Sequence, residues 1–109
     1  MNEEIQEYLS KYPTDIIDLF GRLRSLVYEA ACSAPREVLW ARIPSYYVDE
    51  SFIRLIPFKD HINVEAKGVL EHRNELSDYK ITPKGMLCLY TNQEIPTSAL
   101  KTIIYDTLN

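Results

Sequence analysis

Residues 52–66 constrain the fold more tightly than any other part of this chain. On either side of the polar pair Lys59-Asp60, side chains alternate with the two-residue period of a β-strand. If Lys59-Asp60 makes a tight turn, Phe58 stands opposite His61, Ile56 opposite Asn63 and Arg54 opposite Glu65, so that opposite charges meet across the ladder. The same register sends Ile53, Leu55, Pro57, Ile62, Val64 and Ala66 to the other face, which becomes wholly apolar. A slip of one residue would destroy both results. One face of the hairpin must therefore be covered. The other, carrying Phe52, Arg54, Ile56, Phe58, His61, Asn63 and Glu65, could form the floor of a pocket.

Helical segments on both sides of this hairpin supply the cover. Ile5, Tyr8 and Leu9 share one face of a first helix, which ends before Tyr12-Pro13 because proline disfavours helix in its predecessor. A second helix starts at Thr14 as N-cap and places Asp15 and Asp18 in its first turn, where carboxylates favour the positive end of the helix dipole. Its stripe is Ile16, Phe20, Leu23, Val27, Ala30 and Ala31, and Ala34-Pro35 stops it. Strands are predicted over 38–41, 45–48, 52–58 and 61–66. A shorter helix follows from Gly68 to Tyr79, then a loop from Lys80 to Gly85 and a buried, central strand from Met86 to Tyr90. The last helix opens near Pro96-Thr97-Ser98, with Leu100, Ile103, Ile104, Thr107 and Leu108 as its stripe. The predicted fold class is α+β: one domain over residues 1–109, a single antiparallel sheet of about five strands with helices mainly on one face, in two layers.

Composition narrows the functional classes. A chain of 109 residues, 46% hydrophobic and 26% charged, can fold around one continuous core. Its net charge of −4 argues against nucleic-acid binding, which needs a basic stripe to displace counterions. No run of about eighteen apolar residues suggests a membrane span, and the start at Met1 lacks the basic and apolar segments of a secretion signal, so a cytoplasmic location is expected. Cys32 and Cys88 fit no C-x-x-C spacing and read as reduced packing residues within apolar runs. Gly21, Gly68 and Gly85 are too far apart for a dinucleotide loop, a phosphate loop or a nucleophile elbow. Catalysis is accordingly the class least expected.

The segments Ile43-Pro44-Ser45-Tyr46, Phe58-Lys59-Asp60-His61-Ile62 and Tyr79-Lys80 through Lys84-Gly85, followed by an apolar strand and Ile95-Pro96, are in an order that resembles the YdhG-like family. The resemblance spans nearly the whole chain from Ile5. Members are small bacterial cytosolic domains, mostly of unknown function, and some are described as frataxin-like intracellular iron chaperones. The resemblance thus implies weak, transient iron binding, no organic cofactor, and iron-acceptor proteins of iron–sulfur or haem assembly as partners. Where that family carries glycine shortly before the proline of its second strand, this chain has Ala41-Arg42-Ile43-Pro44.

Two constellations then compete. For iron delivery, Glu3, Glu4 and Glu7 share one face of the first helix, and Asp15 and Asp18 extend the patch, giving the exposed carboxylates that a hard cation wants. Acids in a first helical turn are expected on electrostatic grounds alone, so the plainer account of the same residues is a solvated helix face, with Asp18 and Arg22 forming an i, i+4 ion pair. The histidines add pairs only: His61 shares a strand face with Asn63 and Glu65, and His72 lies one helical turn from Glu75. The second constellation is cationic. Lys59, His61, Lys80 and Lys84, with Gly85 allowing close backbone approach, would bind an anion or a protein partner beside an aromatic floor containing Tyr46 and Phe58. Solvated loop lysines and a turn-ending glycine are the plain alternative.

Overall fold

Three two-residue turns build most of the sheet. In the computed structural model, which describes residues 1–109, β1 (Arg36–Trp40), β2 (Ile43–Val48), β3 (Ser51–Pro57) and β4 (His61–Glu65) are successive antiparallel neighbours. Arg54 pairs with Glu65, Leu55 with Val64 and Ile56 with Asn63, and the Phe58 N–H closes the Lys59-Asp60 turn on the His61 carbonyl at 2.8 Å. The register expected from alternation is the one observed. Ile53, Leu55, Ile62, Val64 and Ala66 are all buried on the inner face.

β6 (Leu87–Tyr90) adds to β4, and β5 (Lys80–Ile81) adds to β6, giving six antiparallel strands in the order β1-β2-β3-β4-β6-β5. The sixth strand lies in the segment expected to be a loop. Two residues are too few to show a period, and what holds β5 is a local turn: Thr82 and Met86 exchange backbone and side-chain bonds, and the Gly85 N–H donates to the Thr82 carbonyl. Gly85 takes a left-handed φ of 87°, with Leu70 packed where its Cβ would be.

Helices α1 (Glu3–Leu9), α2 (Thr14–Ala30) and α4 (Thr97–Leu108) occur close to where their stripes predict. Ile16, Phe20, Leu23 and Val27 of α2 are buried, as are Leu100, Ile103, Ile104, Thr107 and Leu108 of α4. Three details differ from expectation. Pro13, not Thr14, occupies the cap of α2, with no side-chain bond there, whereas Asn2 caps α1 by accepting from the Glu4 N–H at 2.7 Å. α2 ends at Ala30 because Ala31 is already extended. The helix expected over 68–79 is broken at His72 into a one-turn helix α3 (Gly68–Glu71) and a 3-10 turn over Arg73–Leu76. Asn74, Ser77 and Asp78 are weak helix formers, and α3 is fixed from outside: Gly68 approaches α4 so closely that a Cβ would lie 3.0 Å from the Ile103 carbonyl, while its N–H donates to Thr107 Oγ1.

The buried stripes of α1, α2 and α4 and the inner sheet residues form one apolar cluster. No helix is long and apolar enough to cross a membrane. The cluster covers only one face of the sheet, and the other is left free of helices.

Candidate functional site

The register assigns the residues of the helix-free face. Arg36, Val38 and Trp40 of β1 lie beside Tyr47, Ser45 and Ile43 of β2. Phe52 and Arg54 of β3 continue the face to Glu65 and Asn63 of β4, then to Cys88 and Tyr90 of β6 and Lys80 of β5. Its centre is Arg54. The guanidinium is held between two aromatic rings, 4.1 Å from the Trp40 centroid and 3.9 Å from that of Phe52, and it donates through Nη2 to the Tyr47 hydroxyl at 3.1 Å. Nη1 lies 3.6 Å from Glu65 Oε1, the cross-strand pair expected from the sequence. Only 9% of Arg54 remains exposed, and its Nε has no partner. Asn63 Oδ1, on the same face, is also buried without one. A charged side chain with a missing hydrogen bond is costly in a fold that gains nothing else from it.

A second aromatic group lies at the β3–β4 turn. His61 stacks on Phe58, with centroids 4.5 Å apart and planes within 10°, and is tilted against Tyr90 at 5.3 Å. Its Nδ1 lies 2.7 Å from Asp60 Oδ1, and that hydrogen bond holds the Asp60 carboxyl below the usual range. The neighbouring Cys88 thiol raises the Tyr90 phenol, while Lys80 nearby acts to lower it. Arg36 lies over the Tyr47 ring at 5.1 Å, so cations alternate with aromatic rings across the face.

The cationic constellation does not converge. Tyr46 pairs with Ile53 on the inner face and is fully buried, so it is no part of an aromatic floor with Phe58. Two adjacent tyrosines in one strand must face opposite ways, and Tyr47 is the outward one. Lys59 lies at the Tyr90 end of the sheet, in an open groove of about 510 Å³ with Lys11, Tyr12 and Pro13. Lys84 and Gly85 lie at the opposite end, where Val64 pairs with Leu87, lining a groove of about 290 Å³ with Phe52, Glu65, Lys67 and Leu70. The length of β4 separates them, and Gly85 is packed on Leu70 rather than open to a ligand. His61 and Lys80 remain on the outward face.

The acidic constellation is exposed throughout. Glu3, Glu4 and Glu7 are solvated on α1, and Asp15 and Asp18 line one narrow groove with Arg22 and Gln93. Asp18 and Arg22 do not form the expected ion pair: no contact within 4.0 Å joins them. No three histidine, cysteine or carboxylate side chains approach closely enough to surround an ion. His72 does meet Glu75, with Nδ1 3.3 Å from Oε1, and also an unexpected partner in α4, with Nε2 2.6 Å from Asp106 Oδ2. Those two carboxylates, Asp106 first, raise its pKa. Cys88 is buried as expected, but Cys32 lies exposed beyond the end of α2.

One polar centre escaped sequence reasoning. The Glu37 carboxylate, 8% exposed, accepts from Arg24 Nε at 2.6 Å, from Arg24 Nη2, from the Asn2 N–H at 2.8 Å and from the Tyr46 hydroxyl at 2.7 Å. Burial pushes its pKa up, yet these donors outweigh burial and hold it below the usual value. Tyr46 is pushed well above its ordinary range by burial and by Glu37. The signal was present in the sequence: an acid at an inward position of an alternating strand demands a cation beside it, and Arg24 borders the apolar stripe of α2. This node ties α1, α2, β1 and β2 together and is structural, since it lies on the helix-covered side.

No family model, no curated protein and no solved structure matches this chain.

Proposed function

We propose that this chain is a non-enzymatic binding protein that holds an acidic protein segment against its helix-free sheet face. The observation that carries this reading is the Arg54 guanidinium clamped between Trp40 and Phe52 on a face no helix covers, with its Nε unpartnered. Charge supports the same occupant. Arg36, Arg54 and Lys80 stand on that face against Glu65 alone, in a chain whose net charge is −4, so its acids are concentrated elsewhere. The face is broad, and the grooves beside it are shallow and open, which suits an extended partner better than an enclosed small molecule. Half-exposed Trp40 and Phe58 supply the apolar anchors.

A short peptide alternating glutamate with leucine, titrated into isotopically labelled protein and followed by NMR, tests the reading. Shifts should concentrate on Trp40, Arg54, Phe58 and His61 and weaken with salt, and a lysine–leucine peptide should bind far less. Equal binding of both peptides, or no shifts at millimolar peptide, would rule the reading out.

Iron delivery, with membership of the YdhG-like family, is the second reading. It draws on the motif order and on the exposure of Glu3, Glu4, Glu7, Asp15 and Asp18, the last two sharing one groove. In this reading the ion is cargo on an open surface, passed to an acceptor protein of iron–sulfur or haem assembly. Anaerobic ferrous titration should then broaden amides of residues 3–18 before any others, and broadening confined to His61 or His72 would count against it.

A further inference from the structure

The two edges of the sheet are built differently. β5 is two residues long, and Lys80, Pro83 and Lys84 lie in or beside it. Short strands, lysines and prolines keep an edge from pairing with another chain. β1 is less protected: Pro35 precedes it and Glu37 points inward, but its five residues, Arg-Glu-Val-Leu-Trp, include no lysine or proline and pair with β2 along their full length without a bulge. Pro44 stands opposite Leu39 and has no N–H, so that pair is not a hydrogen-bonded one. Alternation then makes Arg36, Val38 and Trp40 the residues bonded to β2, and turns the N–H and C=O groups of Glu37 and Leu39 outward. No other strand pairs with this edge, and no turn or loop backbone group bonds to it.

We propose that a second copy of the chain pairs antiparallel with β1 about a two-fold axis at Val38, joining two sheets into one. In that register Glu37 of each copy exchanges backbone hydrogen bonds with Leu39 of the other. Val38 faces Val38, and Arg36 of each copy faces Trp40 of the other. Both are non-hydrogen-bonded pairs, in which side chains come closest. The complementarity is specific: Trp40 is 51% exposed after stacking on Arg54, so one side of its ring is free for the exposed Arg36 cation of the other copy. Each contact occurs twice, as an isologous interface requires. The inference does not rest on the acidic partner proposed above, since the backbone pairing uses only the strand edge, although its side-chain contact uses Arg36 and Trp40 at the margin of the same face.

Sedimentation velocity on the full chain should show a dimer that dissociates on dilution. Val38→Lys replaces an apolar contact with a like-charge pair and should raise its Kd roughly tenfold. Because Val38 is only partly buried, the variant should keep its fold, checked by circular dichroism. Disulfide trapping gives a readout that does not depend on that variant: in a Cys32→Ser background, Val38→Cys should oxidise to a covalent dimer much faster than Thr102→Cys on exposed α4. A monomer at every concentration, a dimer indifferent to Val38→Lys, or equal trapping at Val38 and Thr102 would each overturn the proposal.

Discussion

Arg42 and Glu37 show how single residues bear on this fold. Ala41 and Arg42 take φ of 48° and 65°, the left-handed pair that a two-residue hairpin turn needs and that glycine adopts most easily. An L-residue there costs about 1–2 kcal/mol, partly offset in glycine by its greater unfolded entropy, so Arg42→Gly should stabilise the chain by up to about 1 kcal/mol. The urea midpoint should rise at unchanged slope; a fall would show that the Arg42 side chain contributes more than its backbone costs. Glu37 acts in the opposite sense. Its folded pKa lies below the unfolded value, so its contribution is present above the unfolded carboxylate pKa and is lost as pH falls through the folded one. Glu37→Gln should cost roughly 2–3 kcal/mol at neutral pH by unpairing Arg24. Denaturation followed from neutral to acid pH should show a flatter acid limb in the variant, and an unchanged limb would assign acid sensitivity to other carboxylates. Alternation alone does not give either role: Arg42 turns on a backbone angle it does not encode, and for Glu37 it marks an inward acid that needs a cation without identifying Arg24 as that cation.

At the scale of elements, the β3–β4 hairpin was the most legible part of the chain. Its alternation and its Arg54–Glu65 pair left a single register. Leu55→Ala, at a site 1% exposed, should cost roughly 2–5 kcal/mol through lost burial and a residual cavity. Glu65→Ala should cost less, on the order of 1 kcal/mol, since its contact with the buried Arg54 is 3.6 Å long and Arg54 keeps the Tyr47 hydroxyl as a partner. Comparable losses in thermal or urea denaturation would contradict the inward and outward assignment. The segment from Gly68 to Tyr79 was much less legible. It breaks at His72, whose ring contacts Asp106 of α4, and that contact titrates. The folded pKa of His72 is raised, so the clasp to Asp106 is fully present below the unfolded histidine value and is lost as pH rises through the folded one. NMR titration of the His72 ring should give a pKa above that of an unfolded histidine, and Asp106→Asn should lower it. A value unmoved by the substitution would remove Asp106 as the cause. β5 escaped notice for a simpler reason, since two residues carry no periodicity.

For the whole molecule, alternation in β3 and β4 established that one sheet face would be covered and one left free, and the helix stripes were sufficient to cover only one. What periodicity could not supply was position along the strands. Lys59 and Lys84 each fall within a segment of the motif order yet lie at opposite ends of β4, and alternation alone does not say which of Tyr46 and Tyr47 faces inward, where Glu37 binds Tyr46. The face that results joins cations to aromatic rings around Arg54, and the chain's only tryptophan lies against that guanidinium. Trp40 emission therefore reports directly on the proposed binding surface. Titration with the glutamate–leucine peptide should move the emission to shorter wavelength as water leaves the half-exposed ring. The change should saturate, weaken with added salt, and shrink in the Arg36→Glu, Lys80→Glu variant, whose substituted side chains are exposed. An emission spectrum that stays unmoved up to millimolar peptide, or responds equally in that charge-reversed variant, would contradict the assignment of the helix-free face as the binding surface.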